Sequence, residues 1–403
     1  MTPSGPLAVA VAGAGPTGLA VALMLARQGR RVVVHERFEA ARPVGAGFML
    51  QPTGLHVLDR LGLTAEVERY GQPLSHIFGR EARRGRVVLD IRYGDLKAPR
   101  PSHSASLGVH RSALFHVLYR ACLAEGVSFE TGREIVSAAD GRLTGANGWT
   151  SAAFDLIIDA TGARSSIARA LGARRQDLNW SGLWGTVPWP GAPFDEGALE
   201  QVYRGAAKMI GVLPCGGLPD APDQRLATVF WSLKGDDHPA WLTAGLDPWK
   251  TEILSLWPEV APILDTIVDP HAMTLARYGH HTLIRPVAAR LAVLGDAAHS
   301  TSPQLGQGVN MGLLDALALA DALEVHADLS DALNAYAAAR RWHVRLYQAL
   351  STGFTPFYQA DGAVLPWIRD HILGKVARLP FAPRLLAATV SGLLLDPRRD
   401  AIR

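Results

Sequence analysis

The first forty residues change hydrophobic period twice. Leu7 to Ala12 is a continuous apolar run rich in Val and Ala, which predicts a short buried strand. Leu19, Ala22, Leu23 and Ala26 then recur at helical spacing, and Gly29 is a fitting stop. A second strand is predicted from Arg31 to His35, ending at Glu36. The turn between the first strand and the helix reads Gly13-Ala14-Gly15-Pro16-Thr17-Gly18. Residues 7 to 26 carry no charge, but no basic residue precedes them and three glycines interrupt them. That pattern speaks against a membrane span or a signal sequence.

Farther along, a helix is predicted around Leu55 to Leu61, stopping at Gly62. Residues 74–100 read as a β-excursion, with Val87-Val88-Leu89 and Ile91 flanked by Arg, Gly and Asp. Val109-His110-Arg111 opens another helix, with Leu114, Val117 and Leu118 on one face. Strands follow at 127–130 and 154–159. Composition shifts near Asn179, where short strands are predicted at 208–213 and 226–233, then Pro-bounded helical pieces at 239–268. Leu291 to Leu294 reads as a strand delivering Gly295-Asp296, and a long helix runs from about Gly308 to Glu324. From Tyr336 onward the pattern predicts several helices broken by Pro356, Pro366, Pro380 and Pro383.

Composition narrows the class. A chain of 403 residues with 48% hydrophobic and 19% charged residues can bury a large core and is expected to form two globular domains. A net charge of +3, without a basic stripe, gives no footprint for nucleic acid. Cys122 and Cys215 form neither a metal spacing nor a disulfide framework, which fits a reducing cytoplasm. No metal site is predicted. The longest uncharged apolar stretch of the C-terminal region, Leu385 to Leu395, is too short to span a bilayer. Arg369, Lys375, Arg378 and Arg384 around it would permit a peripheral membrane contact, and a helical cap on the core is the alternative. Seven of the ten tryptophans fall between 180 and 257. They predict an aromatic-walled second domain or, read more plainly, ordinary core.

The first unit carries the chemistry of dinucleotide binding. Gly13 permits a tight turn, Gly15 lets backbone approach a pyrophosphate, and Gly18 lets helix and strand pack closely. The helix N-terminus offers free N–H groups and a positive dipole end to phosphates. Glu36 lies where an acid accepts hydrogen bonds from an adenosine ribose. Far downstream lies Gly295-Asp296-Ala297-Ala298-His299, followed by Pro303, Gly306, Gly308, Val309 and Asn310.

The two motifs, in this order and at this distance, resemble the single-component FAD-dependent monooxygenases, the family of p-hydroxybenzoate hydroxylase and the ubiquinone-biosynthesis hydroxylases. The resemblance covers about residues 7–345. It implies an α/β fold: a Rossmann-type FAD-binding domain (1–73, 101–178 and 281–345), an inserted β-sheet-based substrate domain (74–100 and 179–280), and C-terminal helices (346–403). It implies that Asp296 hydrogen-bonds the ribityl chain of FAD and that Pro303 to Asn310 lies along the isoalloxazine ring. There the N-terminus of the following helix would stabilise reduced flavin. It further implies that Arg37, Arg42 and Arg111 contact the cofactor, the last two near its pyrophosphate and ribose.

The implied reaction is hydroxylation of an aromatic or electron-rich apolar small molecule. NAD(P)H reduces FAD, O₂ adds at flavin C4a, and the hydroperoxide passes its distal oxygen to the substrate. The catalytic base stays unassigned, with His238, Tyr203 and Tyr278 in or beside the second domain. One motif departs from the family. Where many aromatic hydroxylases carry Asp-Gly, this chain reads Thr161-Gly162, with Asp159 two residues early and Arg164 two residues after the pair. That leaves open a related FAD enzyme with other chemistry (epoxidase, dehydrogenase or halogenase) or a flavin-binding protein without turnover.

Overall fold

A computed structural model describes residues 6–42, 45–96, 106–373 and 379–396. Its first layer is a six-stranded sheet in the order Val287–Ala288, Leu291–Val293, Leu156–Asp159, Ala8–Ala12, Arg31–His35, Ser128–Glu130. The five strands from Leu291–Val293 to Ser128–Glu130 pair in parallel, and Val287–Ala288 joins antiparallel. Every residue of Ala8–Ala12 is buried, as expected for a central parallel strand covered on both faces. Helices Pro16–Arg27, Arg111–Ala124 and Gly308–Val325 pack together on one side, their Leu19, Leu23, Leu118, Leu313 and Leu317 in one apolar core. That core joins the first turn of the chain to the helix after Gly295 (burying these leucines contributes about 1.5–3 kcal/mol each).

The second layer is a seven-stranded sheet in the order Thr274–His280, Gln176–Pro188, Ala221–Lys234, Lys208–Leu218, Ala198–Arg204, His76–Glu81, Val87–Arg92. Its strands carry two alternating sets of side chains. Val202, Ile210, Val212, Val229 and Trp231 pack on one face against the helical segment with Trp241, Trp249, Ile253 and Trp257. Leu199, Tyr203, Met209, Leu213 and Phe230 project from the other face. The tryptophan enrichment therefore marks mostly the core behind this sheet. Trp184 stands on the opposite side, tilted against Phe230 with ring centroids 4.9 Å apart.

The C-terminal region departs from the sequence expectation. Leu329–Tyr358 is one helix of 30 residues with Pro356 inside it. Pro356 sits in the last turn, where the helix has no further length to propagate a kink. Pro383 opens helix Ala382–Val390 as an N-terminal residue, a position proline favours. Arg369 is not a surface cation. It is buried, paired with Asp370, and donates to the carbonyls of Phe357 and Gly205. Lys375 and Arg378 lie outside the described residues. Among the described residues, no helix is long and apolar enough to cross a membrane.

Candidate cofactor and substrate cleft

The glycine-rich turn is built as its spacing requires. Gly13 adopts φ +101°, and a side chain on it would strike the carbonyl of Ala160. A Cβ on Gly18 would lie 2.0 Å from the Gly13 oxygen, so only glycine lets the helix start this close to the strand. A Cβ on Gly15 meets nothing within 4 Å, leaving open space over the helix N-terminus. Glu36 is buried at the end of the second strand. One carboxylate oxygen accepts from the Ala14 N–H at 2.8 Å and the other from the Phe38 N–H. The acid thus braces the turn while keeping lone pairs for a ribose.

Arg37 and Arg42 are exposed, and both guanidiniums lie over the Phe38 ring, at 4.7 and 4.5 Å. Arg111 faces a cleft of about 520 Å³ between the two layers. It is open to that cleft yet enclosed by its walls. Desolvation lowers its pKa, and the carboxylate of Asp296 opposes the shift. Asp296 is exposed while its neighbours Gly295 and Ala297 are buried, and it also lines the cleft. A Cβ on Gly308 would sit 3.6 Å from its carboxylate oxygen.

Pro303, Gly306, Gly308 and Val309 line the same cleft. Asn310 does not. It is buried behind the loop, accepting from the Gln51 N–H at 2.9 Å and donating to the carbonyls of Gly306 and Met49. Its role is to tie the Pro303–Gly308 turn to strand Gly47–Leu50. The sequence did not signal this brace, nor Gln51, whose side-chain oxygen accepts from Tyr93.

Gly295 is held by a buried ionic knot. Asp315, on the long helix, accepts from the Gly295 N–H at 2.8 Å, from His299 Nε2 at 2.5 Å and from Arg340 Nε at 2.7 Å. Desolvation pushes the Asp315 pKa up, but the charges of His299 and Arg340 and their hydrogen bonds outweigh it and hold the group at about 2. His299 is therefore part of the support for the Gly295-Asp296 turn.

Asp159, the acid two residues early, is buried and occupied within its own turn. It accepts from the Thr161 N–H and hydroxyl and from Ser165 Oγ. Ser165 in turn caps helix Ser166–Ala170, so Arg164, which is exposed, does not serve as that cap.

The rest of the cleft is lined by the exposed face of the seven-stranded sheet and roofed by Leu386, Thr389 and Val390 of helix Ala382–Val390 with Phe354, Tyr358 and Gln359. Among the described lining residues, Arg111 and Asp296 are the charged ones. Tyr203 and Tyr278 line it, whereas His238 stacks on Trp241 away from it. Tyr278 accepts from Trp184 Nε1 at 2.7 Å. Burial raises both phenols above their ordinary pKa, so they are proton donors at neutral pH.

The glycine fingerprint, the cleft-facing carboxylate of Asp296 and the Arg111 guanidinium near it fit a dinucleotide whose polyol and flat ring enter the cleft. Comparison with known proteins agrees. A family model described as an FAD binding domain matches residues 6–349. The chain is 31% identical to the 2-heptyl-3-hydroxy-4(1H)-quinolone synthase of Mycobacteroides abscessus, over 91% of this chain and 94% of that one. It is 28% identical to the aurachin C monooxygenase/isomerase of Stigmatella aurantiaca, over 97% and 99%. Among solved structures, HpxO of Klebsiella pneumoniae, complexed with FAD and uric acid, superposes with a TM-score of 0.79 at 21% identity, covering 97% and 98% of the two chains. 2-Methyl-3-hydroxypyridine-5-carboxylic acid oxygenase in its tetrameric form gives 0.79 at 22%, covering 98% of each chain.

Proposed function

The chain belongs to the FAD binding domain family and is an FAD-dependent monooxygenase using NAD(P)H, and from that premise we propose that it hydroxylates a neutral, apolar heteroaromatic of the alkylquinolone type. One observation carries the reading: beyond Arg111 and Asp296 at the cofactor end, the described cleft wall holds no charge. An anionic substrate buried there would lack a counterion, a cost of several kcal/mol. Ile77, Leu89, Ile91, Leu199, Leu213 and Leu386 instead offer aliphatic surface for an alkyl chain.

Bound FAD supplies the electron transfer and oxygen activation, with O₂ as co-substrate. The chain's residues do the rest. The Gly13–Gly18 turn and helix N-terminus would hold the diphosphate, with Glu36 on the adenosine ribose, Asp296 on the ribityl hydroxyls and Arg111 beside it on the cofactor's polar edge. Arg37 and Arg42, over Phe38, would close the mouth of that groove. The Pro303–Val309 turn would lie along the ring. The roof formed by Leu386, Val390, Phe354 and Tyr358 would keep water from the reacting face, which would limit loss of oxygen as peroxide. Tyr278, its oxygen held by Trp184, would donate to the substrate. The 1–73, 101–178 and 281–345 segments would bind FAD, 74–100 and 179–280 the substrate, and 346–403 the roof. Free, buried Cys122 and Cys215 support placement in a reducing cytoplasm.

The test is NAD(P)H oxidation by the FAD-loaded protein with 2-alkyl-4-quinolones and with carboxylated aromatics. Quinolone-stimulated oxidation with a product about 16 mass units heavier, one added oxygen, is expected. Stimulation by the carboxylates alone would refute the reading.

A further inference from the structure

Strand register places one side-chain amide at the centre of the cleft floor. Cross-strand pairing links Thr274, Trp184, Phe230, Gly211, Gln201, Gly79 and Leu89 into a single row across all seven strands. Gln201 is flanked in that row by two glycines. A Cβ on Gly211 would lie 2.0 Å from the tip of the Phe230 ring, and one on Gly79 would lie 2.8 Å from the Tyr203 ring. Each glycine therefore makes room for an aromatic ring laid flat beside Gln201. The arrangement frames the amide on both sides.

The amide is also aimed. Tyr203 donates its hydroxyl proton to the Gln201 side-chain oxygen. Tyr203 is itself fixed by the Arg369 guanidinium, 4.9 Å from its ring centroid, and by Tyr358 at 5.6 Å. Arg369 is locked by Asp370 and two backbone carbonyls. With its oxygen engaged, Gln201 turns its nitrogen toward the cleft. Among the described residues that nitrogen has no protein partner, although the residue is more than nine-tenths buried and lines the cavity. The N–H is open to whatever enters the cleft, and a ligand that covers it without supplying an acceptor leaves it unpaired at a cost.

We infer that Gln201 is a specificity-determining residue whose amide N–H donates to a carbonyl-type oxygen on the substrate ring, with Tyr203 and Arg369 as its positioning residues. The inference rests on the neutral-heteroaromatic reading and narrows it to rings that bear such an acceptor. The donor lies among apolar walls, where a ring lacking the oxygen leaves the N–H unpaired and is disfavoured. Discrimination between ring oxygen and no ring oxygen then resides in one side chain.

The experiment compares a 2-alkyl-4-quinolone with the matching 2-alkylquinoline, which lacks the ring oxygen. Binding is read from the change each causes in the flavin absorbance of the FAD-loaded protein, and turnover from KM, kcat and peroxide release. Wild type should bind the quinolone about tenfold more tightly. Gln201→Leu should shrink that preference to about twofold or less, raising KM for the quinolone more than it lowers kcat and increasing peroxide release. Tyr203→Phe, which keeps the ring packing and loses only the aiming hydroxyl, should give an intermediate preference. Wild-type preference that survives in Gln201→Leu, or in Tyr203→Phe should the first variant not fold, overturns the assignment. Absence of preference in wild type overturns it as well. Failure of either ring to perturb the flavin would overturn the apolar-substrate reading itself, and this assignment with it.

Discussion

Replacing Asp315 by Asn tests whether the buried ionic knot sets the cofactor site. Asp315 gathers three donors, from Gly295, His299 and Arg340, in a fully buried position. An Asn side chain keeps one acceptor oxygen and turns an N–H₂ toward a guanidinium or an imidazole. Arg340, also buried, then loses its counterion. Removing one partner of a buried charge pair costs about 3–5 kcal/mol. Urea unfolding of the apoprotein, followed by far-UV dichroism, should show a loss of that size.

The effect should extend to FAD. Gly295 adopts φ +59°, and the Asp315 contact fixes its N–H just before Asp296 turns into the cleft. Loss of that anchor should raise the FAD Kd at least about tenfold, equivalent to 1.4 kcal/mol. A control follows from the same physics. In Asp315→Asn with Arg340→Met the guanidinium left without a counterion is removed while an acceptor for Gly295 and His299 is kept, so the double variant should be more stable than Asp315→Asn alone. A stability loss under about 1 kcal/mol for Asp315→Asn, with unchanged FAD affinity, would refute the reasoning.

Asp296→Asn should separate binding from stability: the side chain faces the cleft, so apoprotein unfolding should change by less than about 0.5 kcal/mol while FAD affinity, read by fluorescence titration, falls. Gly18→Ala forces a methyl to within 2.0 Å of the Gly13 oxygen; overpacking of this kind costs about 1–3 kcal/mol, and the purified variant should lack the flavin absorbance of wild type. Acid should destabilise the fold from near neutrality. Burial lowers His343 to about 3, with the Arg340 charge adding to the shift. Its contribution is complete above the unfolded value near 6.5 and is lost as pH falls toward 3, by at most about 1.4 kcal/mol per pH unit. Asp315 adds a second loss as pH falls from about 4 toward 2. Unfolding free energies at descending pH should therefore decline below about pH 6, and His343→Gln should flatten the upper part of that slope.

What the sequence made legible follows from the range of the forces involved. The Gly13–Gly18 turn, Glu36 and the strand before Gly295 are local patterns, because a tight turn, a helix start and an apolar run are each decided within a few residues. The C-terminal prolines misled because their effect depends on position within the helix. Pro356 lies too late in Leu329–Tyr358 to break it, and Pro383 starts a helix instead of ending one. Asp159 kept its carboxylate but spent it on Thr161 and Ser165, a choice made within the turn 159–165 that no spacing rule separates from a ligand site.

Gln201 was silent for a different reason. In sequence it is one polar residue in Ala198–Arg204, where alternation predicts a solvent-facing position as readily as a cleft-facing one. Its environment is made by Gly211, Gly79 and Phe230, on three other strands that reach it only through the register of the seven-stranded sheet. Cofactor chemistry in this fold is written in short contiguous motifs, because phosphates and sugars are gripped by turns. Substrate choice is written across strands, because a cleft floor is a row of residues contributed one per strand. Relatives at about 30% identity can therefore share the first nearly intact and differ in the second by a single side chain, and a change confined to Gln201 or its two flanking glycines would alter which ring is accepted without altering how FAD is held.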